Sequence, residues 1–485
     1  RISIFLSVFN VHVNRFPTDG FNYNNLGSGQ GLQLGEAGLG SFKEADKLIA
    51  FFSRVTYNFD DRYLLMASMR REGSSRFGED YKWGSFPGVS LGWRVDQESF
   101  AQNWDWLSSF KLRSGFGVTG TNAGERYQSL SGLSYGDYFY NNGQWVRQLV
   151  PSRNANTNLR WEKKEEFNVG LDFGILDGRI NGSIDYYDRT TKDALFNYSV
   201  PTPPYFYGSI AANVAQIKNT GLEFLLNLTP FQSDNFDWTA NLTYSTNTNK
   251  IVALSNDEFQ LTNDFFDEGY TGEPIQISTH RVQEGEPIGN FFGLKSVDIT
   301  DDGIWIIERP DGSRVPATEA TNDDRQVLGN GLPKAYYSWN NTVKYKNWDF
   351  MFNLRGALDY QILNFSRMFY ENPTIGYNTL DSAYDPIYGK AVLQDVQRYV
   401  SHYIEEGDFL KIDNVTLGYT LPKDAIKFAQ TFRIYASGLN LATISKYKGI
   451  DPEINNMNNV LAPGNDDRDK YPTIRTFTFG INFTF

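Results

Sequence analysis

The chain closes on TIRTFTFGINFTF, residues 473–485. Phe477, Phe479, Ile481, Phe483 and Phe485 fall on one parity, and Thr476, Thr478, Gly480, Asn482 and Thr484 on the other. Successive side chains of a strand point to opposite faces, so this reads as a strand with one wholly apolar face and one small, polar face. Alone, it fits either an edge strand of a soluble sandwich or a stave of a membrane barrel.

The alternation recurs. Phe167, Val169, Leu171, Phe173 and Ile175 oppose Asn168, Gly170, Asp172 and Gly174. Trp238, Ala240, Leu242 and Tyr244 oppose Thr239, Asn241, Thr243 and Ser245. Val89–Val95, Trp348–Leu354 and Val415–Leu421 repeat the pattern, whereas FRIYASGLNL at 432–441 mixes its faces. Thirteen strands follow, at 49–58, 62–72, 85–95, 109–119, 161–175, 179–190, 217–229, 237–249, 336–345, 348–358, 407–421, 432–443 and 473–485. Residues 1–14 alternate poorly and are read as the end of a fourteenth.

The connectors decide between the two settings. One set is short; the other is long, at 73–84, 120–160, 191–216, 250–335, 359–406 and 444–472. Tight turns at one end and large loops at the other are the layout of an outer-membrane barrel. A polar parity of Asn, Thr, Ser, Gly and Asp cannot form a dry core, because each buried polar group needs a partner; it suits a wet or plugged lumen. The apolar parity, including Leu171, Phe173, Leu242 and Phe477–Phe485, is then expected to face lipid, with Trp161, Trp238 and Trp348 in the interfacial girdles.

Composition agrees. Aromatics make up 16% of the chain and no window approaches a spanning helix, which a barrel with strands of about 10 residues does not need. A formal charge of -12 argues against nucleic acid, and the absence of cysteine removes disulfides and thiolate metal sites. An odd strand count leaves two sheet edges unpaired, at several kcal/mol per stranded backbone group in lipid. The chain is therefore expected to be the C-terminal part of a larger barrel, with 1–48 an outer loop carrying a partial strand and 49–485 the barrel.

Tyr57–Gly78 (YNFDDRYLLMASMRREGSSRFG) and Trp83–Phe100 (WGSFPGVSLGWRVDQESF) resemble the barrel of the SusC/RagA-like TonB-dependent transporters. So do Leu112–Gly120, Asn158–Gly174, Asn219–Phe224, Phe409–Lys423 and Ile434–Glu453, in family order. The likeness runs from about Lys47 to Phe485, and residues 1–46 match poorly. It implies an all-β, transmembrane antiparallel β-barrel of about 22 strands, of which this chain carries about 13–14, with the plug domain outside it. It also implies location in the outer membrane of a Gram-negative bacterium and active import of an oligosaccharide or peptide. The implied partners are a SusD-like surface lipoprotein as lid, TonB as energy source, and outer-membrane lipid. Phe485 resembles the terminal aromatic signal of such barrels. The acidic stretch that usually precedes the family's DDR segment lacks its spacing here, so no calcium site is expected at Asp301 and Asp302. A structural or passive barrel without TonB coupling is the alternative.

No phosphate-loop motif is present, so energy must come from a partner. Ligand contact is expected on aromatic loops: Tyr135, Tyr138, Phe139, Tyr140 and Trp145 in one, Tyr205, Phe206 and Tyr207 in another. The same rings could instead anchor their loops. His12, His280 and His402 are scattered and read as surface residues; Glu165/Glu166 and Glu405/Glu406 read as solvated charge. Neither catalytic residues, nor a metal, nor a cofactor is expected, and the protein is not read as an enzyme.

Overall fold

The shortest connections explain how the strands meet. In the computed structural model, Asp60 (φ 55°) and Asp61 (φ 50°) are both left-handed. Arg62 N–H closes their turn on the Phe59 carbonyl at 3.0 Å. Two such residues in succession make the hairpin turn whose twist matches paired strands, and aspartate tolerates that region. The structure describes residues 2–15, 42–122, 124–261, 263–422, 425, 429–454 and 459–485, with side chains from residue 44 onward.

Fourteen staves pair in sequence order: β1 (Ile2–Arg15), β2 (Phe42–Phe59), β3 (Tyr63–Ser74), β4 (Trp83–Arg94), β5 (Leu107–Thr121), β6 (Glu162–Ile175), β7 (Ile180–Ser199), β8 (Ser209–Gln232), β9 (Phe236–Thr246), β10 (Ala335–Tyr345), β11 (Trp348–Leu358), β12 (Phe409–Thr420), β13 (Thr431–Ser445) and β14 (Thr476–Thr484). Thr248–Ala253 adds to β8 off this path. Among the described residues β1 pairs only with β2 and β14 only with β13, so the sheet is open. β14 does not return to Ile49–Asn58, which lies within β2 between β1 and β3.

Register carries the two parities across the sheet. Phe479 stands beside Ala436, Leu417 beside Phe350, Trp339 beside Leu242, and Leu171 beside Ile184. One apolar face therefore runs from β2 to β14. Phe477, Phe479, Ile481, Phe483 and Phe485 are exposed on it, and Leu171, Phe173 and Leu242 are half-exposed. The mixed pattern of β13 has a local cause: Asn440 (φ 53°) sits in an irregularity opposite Asp413, and the parity of β13 shifts there.

Several expectations need correction. Within 1–48 the described residues are strand: β1 is a full stave paired along β2, which begins at Phe42. The loop at 191–216 is reduced to 200–208, because β7 and β8 continue as a ribbon past the sheet's neighbouring strands. The loops at 250–335 and 359–406 carry strands of their own, including a six-stranded sheet within 265–330. Trp161 is not in a girdle. It is 3% exposed, tilted against Phe77 at 4.9 Å and edge-on to Phe86 at 5.4 Å, with Nε1 donating to the Lys82 carbonyl.

The apolar core lies in the loops rather than in the sheet. Phe291, Trp305, Ile307, Leu363, Met368 and Tyr403 are buried together, drawn from 250–335 and 359–406. Each such side chain contributes roughly 1.5–3 kcal/mol on burial, enough to hold these loops as one cap. The third long loop joins it. Leu363 N–H donates to the Gly464 carbonyl at 2.9 Å, and Asn465 Nδ2 to Thr279 Oγ1 at 2.9 Å.

Candidate functional site

The polar face of the sheet meets the cap around Lys411. Strict alternation from Val415 and Leu417 would turn Lys411 to the apolar face. A bulge at Asp413 inserts one extra residue, so that Asn414 pairs with Asn353 and Lys411 with Arg355, both on the polar side. There Lys411 Nζ, on a side chain 2% exposed, reaches Asp451 at 2.8 Å and Glu453 at 2.7 Å. Arg355 binds Glu453 and, at 3.1 Å, Asp413. Burial raises the Asp451 carboxyl, but hydrogen bonds from Lys411 and Thr473 outweigh it and hold it below the usual range. These contacts latch residues 451–453 onto the wall.

Beside the latch lies a cavity of about 500 Å³. Its wall is the polar face of β9–β11, through Thr243, Ser338 and Tyr336; its roof is Leu332, Val460 and Pro463. An aromatic ring, hydroxyl donors and an apolar roof suit a small, largely neutral ligand segment. On the same wall, Asn181, Asn227, Asn241, Asn340, Asn353 and Asn414 stand in register on the six staves β7–β12. Asn227 Nδ2 donates to Asn181 Oδ1 at 2.9 Å, Asn241 to Asn227, and Asn353 to Asn340. The ladder gives that height of the wall donors and acceptors without charge.

The predicted aromatic loop is a two-stranded hairpin, Leu133–Asn141 against Gln144–Pro151, standing apart from the main sheet. Its register puts Tyr138 opposite Arg147 and Tyr140 opposite Trp145. Arg147 lies 4.8 Å from the Tyr135 ring and 5.8 Å from that of Tyr138, and Tyr140 meets Trp145 at 5.4 Å. Tyr135, Tyr138, Tyr140 and Trp145 thus share one exposed face, while Phe139 points the other way beside Val146. The second cluster adjoins the hairpin's base. Asn154 Nδ2 donates to the Tyr207 and Ser209 carbonyls at 2.6 and 2.8 Å, and its Oδ1 accepts from Phe206 N–H at 3.1 Å. Phe206 is exposed, but Tyr205 packs against the core around Tyr198 and Ile210.

Other readings change with the fold. His280 is fully buried, Nε2–H donating to the Pro463 carbonyl at 2.8 Å and Nδ1 accepting from Thr279 at 2.8 Å. Burial pulls it down to about 3, against the pull of that carbonyl. His402 packs at a tilt against Trp305 at 5.0 Å, and burial, then the Arg367 charge, pulls it down to about 4. His12 has only its backbone described. Glu405 is not solvated; it pairs with Arg367 at 2.6 Å, both side chains 10% exposed. Glu165 and Glu166 form ion pairs with Lys192 and Arg189. No group of three potential metal ligands occurs among the described residues. The latch joins residues far apart in sequence, and its one signal there is the acidic spacing of Asp451 and Glu453 around Pro452.

Comparison with known proteins follows this architecture. The family model for "TonB dependent receptor-like, beta-barrel" matches residues 6–441, so the poor match expected for 1–46 does not hold. TonB-dependent receptor P3 of Formosa agariphila is 29% identical, over 97% of this chain and 48% of its own length. TonB-dependent receptor SusC of Bacteroides thetaiotaomicron is 31% identical, over 92% and 44%. The RagAB peptide importer in its closed-closed state superposes with a TM-score of 0.83 at 22% identity, covering all of this chain and 53% of the other. The chain spans about half the length of the curated relatives it matches. With its antiparallel staves, single apolar face and cap of loops, the chain belongs to the TonB-dependent receptor-like β-barrel family of the Gram-negative outer membrane.

Proposed function

We propose that this protein imports a large nutrient, an oligosaccharide or a peptide, as the SusC-like barrel of a complex with a SusD-like lipoprotein lid and TonB as the source of energy. The observation that carries the reading is the cap. Two long loops share a core, and a third, hydrogen-bonded to them, latches onto the polar wall beside a cavity. A passive pore has no use for loops fastened over its polar wall, whereas a gated importer needs them. RagAB is a peptide importer, which supports a peptide as one candidate cargo.

The long-loop end faces outward and the short turns face the periplasm, in keeping with bacterial barrels. The boundary between a 1–48 segment and the barrel gives way to a barrel that takes in β1. Phe477, Phe479, Ile481, Phe483, Phe485, Leu171, Phe173 and Leu242 meet lipid. Tyr135, Tyr138, Tyr140 and Trp145 offer stacking platforms to ligand or lid, with Phe206 and Tyr207 beside them; Phe139 and Tyr205 are secondary because of where they point. The test is nutrient uptake by cells carrying the full-length protein. Uptake should stop on deletion of TonB or collapse of the proton gradient, and a surface lipoprotein should co-purify. Uptake indifferent to both losses would favour a passive or structural barrel.

A further inference from the structure

The connection between β4 and β5, residues 95–106, reads VDQESFAQNWDW and is the longest at its end of the sheet. It is ordered by consecutive turns. Glu98, Ala101, Trp104 and Leu107 N–H donate to the Val95, Glu98, Ala101 and Trp104 carbonyls at 2.8–3.0 Å. Val95 and Ala101 are buried, while Phe100, Trp104 and Trp106 are 55%, 39% and 56% exposed. The three rings form one cluster: Trp104 and Trp106 stack at 6.2 Å and 14°, and Phe100 meets Trp104 edge-on at 5.9 Å.

Its placement follows from Glu98, which accepts from Tyr63 Oη at 2.7 Å and Trp93 Nε1 at 3.0 Å. Both rings belong to the apolar face. The connection therefore lies beside that face, not under the polar lumen. Leu176, exposed on the next turn, is held against it by an N–H to the Trp106 carbonyl at 3.0 Å. The aromatic cluster thus continues the surface that an outer-membrane barrel presents to lipid. Stacked indoles at that level sit at the boundary between acyl chains and headgroups. Of the segment's carboxylates, Asp96 pairs with Arg94 at 3.0 Å and Glu98 with Arg62 at 3.5 Å, which leaves the exposed Asp105 beside the two indoles with no ion pair among the described residues; it repels an anionic headgroup and attracts a cation. An ammonium group is also the natural partner of an exposed indole face.

We propose that residues 100–106 are a lipid-binding foot that holds a phospholipid with an ammonium-bearing, zwitterionic headgroup in the periplasmic leaflet. The inference depends on the barrel lying in the outer membrane and not on what it transports. It is tested with the full-length protein in nanodiscs doped with phospholipids brominated on their acyl chains, with either a phosphoethanolamine or a phosphoglycerol headgroup. Tryptophan quenching in the natural protein, minus that in W104F/W106F, isolates the two indoles. Phosphoethanolamine lipid should quench them about 2- to 5-fold more effectively at equal mole fraction, the scale of an exposed ammonium–ring contact. D105K should abolish or invert the preference while the barrel keeps its heat-modifiable mobility on gels. No quenching of these indoles, or equal quenching by both lipids, overturns the proposal.

Discussion

At Lys411 one ammonium group holds two carboxylates on a side chain that is 2% exposed. Removing one partner of a buried pair strands the other charge, at about 3–5 kcal/mol; Glu453 retains access to water, so the lower end applies here. Lys411→Met is expected to free residues 444–454, with hydrogen exchange there about a hundredfold faster and the sheet intact. Acid should act the same way. Burial raises Asp451 and Glu453, but Lys411, Thr473 and Arg355 hold both below the usual range. A depressed carboxyl stabilises the folded state above its unfolded value near ~4 and loses that contribution as pH falls through the lower folded value. The buried histidines act at higher pH. Neutral when folded, His280 and His402 give full stability above the unfolded 6.5 and lose it as pH falls toward about 3 and about 4. Each contributes up to about 1.4 kcal/mol per pH unit in that window. Exchange at 280–291 should therefore quicken below pH ~6.5, before the latch yields, and His280→Gln should flatten that slope.

Two elements show how strand geometry selects side chains. The hairpin at 133–151 sorts its aromatics by face, so Tyr138→Ala, Tyr140→Ala and Trp145→Ala together should raise the half-saturating nutrient concentration by about tenfold or more. Phe139→Ala should leave it near normal. Equal effects from the two would mean that the hairpin acts through its own stability, which a ribbon of two strands has little of. In β12 the bulge takes up one residue between Lys411 and Val415. Deleting Asp413 removes the extra residue and its ion pair with Arg355 but leaves Ile412 opposite Leu354 and Lys411 opposite Arg355, so the ammonium should still face the polar side. The expected result is an assembled barrel whose loop at 444–454 stays protected, measured by heat-modifiable mobility and hydrogen exchange; a freed loop would mean that the bulge residue itself holds the latch.

Across the whole molecule, the two faces of the sheet face different solvents, and a pair of neighbours can report on both. Leu242→Arg puts a charge on the apolar face at about 2–4 kcal/mol near mid-bilayer, whereas Asn241→Arg enters the polar wall. The first should deplete assembled protein in the outer membrane, and the second should not; equal assembly of the two would mean that the apolar face does not meet lipid. Much of this was legible in the sequence. The alternation at Phe477–Phe485 and Trp238–Ser245 appears as read, because a strand's two-residue period is a property of the backbone itself. The in-register asparagines were visible one by one, but their alignment on six staves was not. Trp161, His280 and Glu405 depart from expectation for a related reason: a side chain's burial depends on what a distant loop brings to it. The sequence by itself thus determined the staves, their two faces and the membrane barrel they build. Only the tertiary structure decided that the core lies in the cap, that Lys411 turns inward, and that Asp451 and Glu453 meet it, because those outcomes depend on register, bulges and contacts between segments far apart in the chain.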